Sequence, residues 1–304
     1  MTHRNRRRSP AKNQPPPPPW RRSGPLWILV GIVVVVAIGV VVVAAVLKPR
    51  EAAGPVSWTR LGTQDVHSLA FPGPDTSTVL FGHHGGILRS ADGGRSWAPL
   101  PVRQDAMGMA AAADGSIVIA GHLVFEASRD GGTTWAPINS DLPSLDIHGF
   151  ARSLSDPSRM WAYLAEGGIY ESTDFGTTWA QVNGGDVVQL TAIRRDDQDE
   201  LLGIDLRGLV RSTDEGRTWL VAGTPPTAPI GSLAATPDGG VIVLGGPDGL
   251  YRSDDTGATW RHVLESRAVL ATAISSDGNT IAAVTQDTLY YRSDDGGTTW
   301  PGPA

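Results

Sequence analysis

The sequence predicts an all-β chain, a six-bladed β-propeller preceded by one N-terminal transmembrane helix. Three observations carry that expectation. An eight-residue motif recurs six times, as SADGGRSW (90–97), SRDGGTTW (128–135), STDFGTTW (172–179), STDEGRTW (212–219), SDDTGATW (253–260) and SDDGGTTW (293–300). Counted between their third residues, the copies are 38, 44, 40, 41 and 40 residues apart. Between copies lie short apolar runs separated by turn residues, as in 70–90, with no sustained helical periodicity. One strong turn signal in about forty residues matches one four-stranded blade per unit.

The elements follow in chain order. Residues 1–24 form a basic, Pro-rich tail, with Pro15–Pro19 inside it, and read as disordered. Residues 25–47 run for 23 positions without a charge, roughly 34 Å as a helix, which is enough to span a bilayer. A cleaved signal peptide would have a shorter apolar region and a small-residue cleavage site. Here Ala44–Ala45 is followed by Val46–Leu47–Lys48, so an uncleaved anchor is the better reading. Seven basic residues precede the span, and only Lys48 and Arg50 follow closely. The positive-inside rule then places the N-terminus in the cytoplasm and the rest of the chain outside. Residues 48–56 read as a linker and 57–304 as the propeller.

Composition narrows the function. Residues 1–50 hold nine basic and no acidic residues, whereas residues 51–304 hold 16 basic, all Arg, and 31 acidic residues. A domain of net charge −15 argues against nucleic acid as a partner. The chain has no Cys, which excludes disulfides, thiolate metal sites and a Cys nucleophile. An exported domain without Cys fits a bacterial envelope better than a eukaryotic secretory route.

The repeated pattern S-x-D-x-G-x-[TS]-W resembles the Asp-box, or BNR repeat, and the resemblance covers about residues 57–300. The chain is similar to the Asp-box propellers, which include bacterial sialidases, sortilin-type domains and many "glycosyl hydrolase" proteins. The motif is shared by enzymes and non-enzymes, so it speaks to fold more than to activity. The resemblance implies that each motif sits on the hairpin between the third and fourth strands of its blade. There the Ser and Asp oxygens bond turn N–H groups, Gly94 and Gly132 supply positive φ, and the Trp packs on the core. A sugar or Ca²⁺ site at each motif is the rival reading. Six near-identical copies are better explained by six identical folding needs, which makes Asp92, Asp130, Asp174, Asp214, Asp255 and Asp295 structural.

The ends predict ring closure. Only Pro301–Ala304 follow the last motif, so the sixth blade lacks its outer strand. Ser57–Leu61 resembles the segment that follows each motif and is expected to complete that blade. Trp58 and Trp300 would then compete for one equivalent slot.

In an up-and-down blade with strands A to D, the start of A and the end of B share a face. The resemblance implies that functional sites lie on that face, opposite the motifs. The A starts read Asp65-Val-His67, Asp105-Ala-Met107 and Asp146-Ile-His148 in blades one to three, and Gln189, Gly231 and Leu270 stand where His67 does in the rest. The B ends offer His84, His122 and Glu166, then Leu206, Pro247 and Asp287. His67, His83, His84, His122 and His148 therefore belong to blades one to three. Ligand binding is expected at that rim, through His67, His84, Met107, His122 and His148.

The same five side chains are candidate metal ligands. Imidazole suits Zn, Cu, Ni or Fe, and the thioether of Met107 favours Cu. The neighbouring Asp residues would bind directly or orient imidazoles. Polar channel lining explains the same residues without an ion. Asp65, Asp105, Asp146 and Glu166 are weak catalytic candidates for a glycoside hydrolase. A sialidase-like site would also need an Arg cluster, and only Arg103, Arg207 and Arg267 are placed for it, without the F/Y-R-I-P motif of the family. The leading expectation is thus a monomeric, membrane-anchored binding propeller with a glycan or surface protein as ligand. A glycoside hydrolase and a His/Met metal-binding protein follow it. Trp161, outside every motif, is one candidate for an exposed apolar patch, with core as the better reading.

Overall fold

The structure is a computed structural model that describes residues 54–112 and 114–304. The tail 1–24, the span 25–47 and most of the linker 48–56 lie outside the described residues. Among the described residues no helix is long and apolar enough to cross a membrane.

Strand β1 (Thr59–Arg60) opens the propeller and belongs to its last sheet. Blade one comprises β2 (Ser68–Ala70), β3 (Val79–His83), β4 (Gly86–Ser90) and β5 (Ala98–Pro99). Blade two comprises β6 (Gly108–Ala111), β7 (Ile117–Gly121), β8 (Val124–Ser128) and β9 (Ala136–Pro137). Blade three comprises β10 (Ile147–Arg152), β11 (Met160–Leu164), β12 (Gly168–Ser172) and β13 (Ala180–Asn183). Blade four comprises β14 (Val188–Arg195), β15 (Gln198–Asp205), β16 (Gly208–Ser212) and β17 (Leu220–Val221). Blade five comprises β18 (Ser232–Ala235), β19 (Ile242–Gly246), β20 (Gly249–Ser253) and β21 (Arg261–Glu265). Blade six comprises β22 (Val269–Ile274), β23 (Ile281–Thr285) and β24 (Leu289–Ser293), completed by β1. Every pairing is antiparallel between sequence neighbours except that of β1 with β24.

Burial explains why these segments are strands. The second strand of a blade is buried between neighbouring sheets, so it reads as a continuous apolar run, as in Ile117–Gly121 and Met160–Leu164, with β15 departing at its polar start. The fourth strands lie at the rim; β5, β9 and β17 are exposed throughout. Six apolar clusters result, one at each blade interface. The motif Trp of each blade packs against the preceding blade, as Trp135 does on Leu80 and Ile87 and Trp219 on Trp161 and Ile169.

The motif is a self-contained hydrogen-bonded turn. In 128–135, Ser128 Oγ donates to Asp130 Oδ1 at 2.8 Å and accepts from Gly132 N at 2.8 Å. Asp130 Oδ1 also accepts from Thr133 N at 3.1 Å and Thr134 N at 2.8 Å, while Thr134 Oγ1 donates to Oδ2 at 2.6 Å. Trp135 Nε1 closes the turn on Gly132 O at 3.1 Å. Gly132 has a φ of +90°, and a Cβ there would meet Leu100 Cδ1 at 2.8 Å. Both Asp130 oxygens are thus engaged by hydrogen bonds within the turn.

Ring closure follows the expected route, with Thr59 opposite Tyr290 and Arg60 opposite Leu289. Val56 N also donates to Trp300 O at 2.9 Å, which extends the closure into the segment read as linker. The two tryptophans do not compete. Trp300 is 4% exposed and packs between blades five and six, its Nε1 turned to Val263 O instead of the glycine of its own motif. Trp58 lies one interface on, edge-on to Tyr290 at 6.4 Å, beneath Arg95 at 5.0 Å, with Nε1 on Pro301 O at 2.7 Å. Trp161 is fully buried and donates to Glu215 O at 3.1 Å, so it forms core.

Candidate functional site at the channel mouth

The six inner strands converge on a central cavity of about 280 Å³. Each strand places at least one alanine on its wall, with Ala70, Ala110, Ala151, Ala192, Ala234 and Ala273 at equivalent positions. Small side chains there let six sheets approach a common axis. One end of the cavity is reached by His67, Met107, His148 and Gln189 from equivalent positions of four blades. A second cleft, about 320 Å³, lies between blades four and five and is lined largely by aliphatic groups with Arg195 and Arg211. Arg211 is committed there to Glu200.

At the mouth, blades one to three bring seven ionisable side chains into one line. His67 Nε2 lies 2.9 Å from His84 Nδ1, and His84 Nδ1 lies 2.6 Å from Asp65 Oδ2. The backbone N–H of His84 donates to Asp65 Oδ1 at 2.9 Å, which joins the B–C turn to the A start of its own blade. Asp105 crosses to the next blade: its carboxylate lies 3.4 Å from His67 Nε2, 3.7 Å from His84 Nε2 and 2.8 Å from His122 Nδ1. His122 Nε2 is 3.3 Å from Asp146 Oδ1, and His148 Nε2 bonds the same oxygen at 3.0 Å. A backbone bridge between His122 and Asp146 fixes that last crossing. The His84 and His122 rings stack 6.4 Å apart, and the line as a whole contains three groups of ligand atoms within 4.8 Å of one another.

Burial is uneven along the line. Asp105 has a side-chain exposure of 9%, His67 of 15%, and His84 and His122 of 56% and 45%. Burial pushes the His67 imidazole below its ordinary value, against the opposing pull of Asp105 and Asp65. Burial raises Asp65, but bonds from the His84 backbone and ring, with the nearby His67, outweigh it and hold the carboxyl below its ordinary value. A glycosidase acid needs the opposite, a carboxyl held protonated.

The remaining sequence candidates fall elsewhere. Met107 lines the cavity at the level of His67 and His148. Glu166 is exposed in its turn and makes no hydrogen bond among the described residues. His83 turns away from the line, stacking on Phe81 at 5.9 Å and accepting from Gly85 N. Arg207 is held by Asp205 at 2.7 Å.

One exposed leucine, Leu123, has no place in the sequence reading, and Leu206 enters it only as a B end. Leu123 and Leu206 occupy B–C turns on the mouth face and are 87% and 104% exposed. Leu123 holds a φ of 60° immediately after His122. The readable signal is a leucine in a two-residue hairpin turn, where a polar residue or glycine is usual.

Fold and site together define a six-bladed propeller with a one-sided ionisable mouth. The chain is similar in structure to YCF48 from Cyanidioschyzon merolae, at 20% identity and a TM-score of 0.51, covering 81% of this chain and 88% of that one. It is similar to a gluconolactonase from Xanthomonas campestris, at 14% identity and a TM-score of 0.61 over 84% and 99% of the two chains. It is also similar to a GH74 xyloglucanase from Xanthomonas campestris, at 18% identity and a TM-score of 0.53 over 81% of this chain but 46% of the enzyme. No protein-family model matches the sequence, and no curated protein matches it. At these identities the likeness is one of fold.

Proposed function

We propose that this chain is a membrane-anchored, extracytoplasmic binding propeller of the Asp-box type, holding a surface protein or peptide at the channel mouth of blades one to three. The observation that carries the reading is the asymmetry of the mouth. Asp65, His67, His84, Asp105, His122, Asp146 and His148 form one arc, and no comparable arc exists on blades four to six among the described residues. Such a one-sided array gives a partner both position and orientation. Leu123 and Leu206 add apolar contacts on the same face, which a protein ligand uses and a small polar one does not need. A propeller of the same fold, YCF48, has been seen bound to a D1 peptide, which is a precedent for peptide recognition on this architecture. The uncharged run 25–47 and the basic tail before it support the anchor and its orientation. For a hydrolase, Asp65, held below its ordinary value, suits the ionised partner of the carboxylate pair and not the acid.

Photocrosslinking in native membranes tests the proposal. A photoreactive residue at position 123 should capture a discrete partner, and one at Thr259 on the motif face should not. Capture from position 259 alone, or from neither position, would sink the reading.

A further inference from the structure

The Asp105 carboxylate is the hub of the arc, and its two oxygens are unequally served. Oδ2 accepts from His122 Nδ1 at 2.8 Å and lies 3.7 Å from His84 Nε2. Oδ1 is fully buried and has no hydrogen-bond partner. Its nearest ring nitrogen, His67 Nε2, is 3.4 Å away without bonding geometry. A carboxylate removed from water with one oxygen unserved is an unfavourable arrangement unless a cation completes it.

The two rings that flank this carboxylate are held from behind. His84 Nδ1 is bonded to Asp65 Oδ2 at 2.6 Å, which leaves Nε2 directed toward Asp105. His122 Nε2 lies 3.3 Å from Asp146 Oδ1, which leaves Nδ1 directed toward Asp105. A carboxylate on the outer nitrogen of each ring is the arrangement that fixes tautomer and orientation in metal-bound histidines. The other two groups in the line share His84 or His122 with this central one, so their carboxylates serve better as supports than as competing sites.

We propose that His84 Nε2, His122 Nδ1 and the Asp105 carboxylate bind one divalent transition-metal ion, with Asp65 and Asp146 as positioning residues. Two imidazoles and one carboxylate suit Zn²⁺, Ni²⁺, Co²⁺ or Fe²⁺. Both imidazoles are partly exposed, so a fourth position would face the mouth and remain available to a ligand. The inference rests on reading the mouth of blades one to three as the binding site, and it names what that site holds.

The test is zinc titration of the full-length chain, purified in detergent and stripped with a chelator, followed by calorimetry and thermal unfolding. The expected result is one saturable equivalent of Zn²⁺ with a rise in melting temperature. His84→Gln and His122→Gln, which keep size and polarity, should each weaken binding by about 100-fold, and Asp65→Asn by about 10-fold. His83→Ala, outside the line, should bind as the parent does. Absence of saturable binding overturns the proposal. So does unchanged affinity in both glutamine variants, or loss only in His67→Ala and His148→Ala. Crosslinked capture that persists in chelator while zinc fails to bind would sink the metal and leave the partner reading standing. Zinc binding without capture would do the reverse.

Discussion

Asp105 and His67 belong to different blades, yet Asp105 Oδ1 lies 3.4 Å from His67 Nε2, close enough for charge and too poorly aligned for a hydrogen bond. The contact joins the A starts of blades one and two. It sets the protonation of His67 through two opposed effects: burial lowers its affinity for a proton, and Asp105 and Asp65 raise it.

In chelator-treated protein, Asp105→Asn should therefore lower the pKa of His67 further, because a charge favouring the imidazolium is removed. His67 in the parent already titrates below its ordinary 6.5, so its contribution to stability is present above 6.5 and lost as pH falls through the lower folded value. NMR titration of the His67 ring reads both effects. A pKa that rises in the variant contradicts the assignment.

The motif aspartates predict the acid limit. Asp130 and Asp255 are held down to about 2, chiefly by the hydroxyls of Thr134 and Thr259. Asp174 is held down to about 2 chiefly by the Thr178 backbone N–H. Depressed carboxyls stabilise the fold above their ordinary 3.8, and that contribution is lost as pH falls through about 2. Melting temperature should hold near pH 4 and fall steadily toward pH 2. A flat profile across that interval would show that the turns do not depend on ionised Asp.

Closure depends on both chain ends. Trp300→Ala removes a 4% exposed side chain from the interface of blades five and six and should cost about 3–5 kcal/mol in urea unfolding. Trp58→Ala removes a half-buried ring and should cost clearly less. Equal losses would mean that the two rings fill equivalent slots after all.

Leu123 combines exposure with a left-handed backbone, φ 60°. Leu123→Gly should stabilise by up to about 1 kcal/mol, since an L-residue is disfavoured in that region. Partner binding, measured by capture from a second photoreactive position at Leu206, should weaken in the same variant. Unchanged capture would remove Leu123 from the interface.

The absence of Cys makes topology directly testable. Ser9→Cys should be protected from a membrane-impermeant maleimide in intact cells, and Thr298→Cys should be labelled. The reverse pattern would invert the proposed orientation.

The blade count, the order of strands and the closing segment were legible in the sequence because the information is local. Ser128, Asp130, Gly132 and Trp135 satisfy one another within eight residues, so the pattern that specifies the turn is also the pattern that is read. The crowding of histidines onto blades one to three was legible for a related reason: aligning repeats assigns each residue a position within its blade. That alignment does not report distances between blades. Whether Asp105 faces His67, His84 and His122 at once depends on the twist of each sheet and the angle between neighbours, which six packed interfaces decide together. The same long-range packing buried Trp161 and separated Trp58 from Trp300. Sequence alone determined the repeating unit of this protein. The tertiary structure decided which side chains from different repeats meet, because the twist of each sheet and the angle between neighbouring blades set those contacts and neither is written in a single repeat.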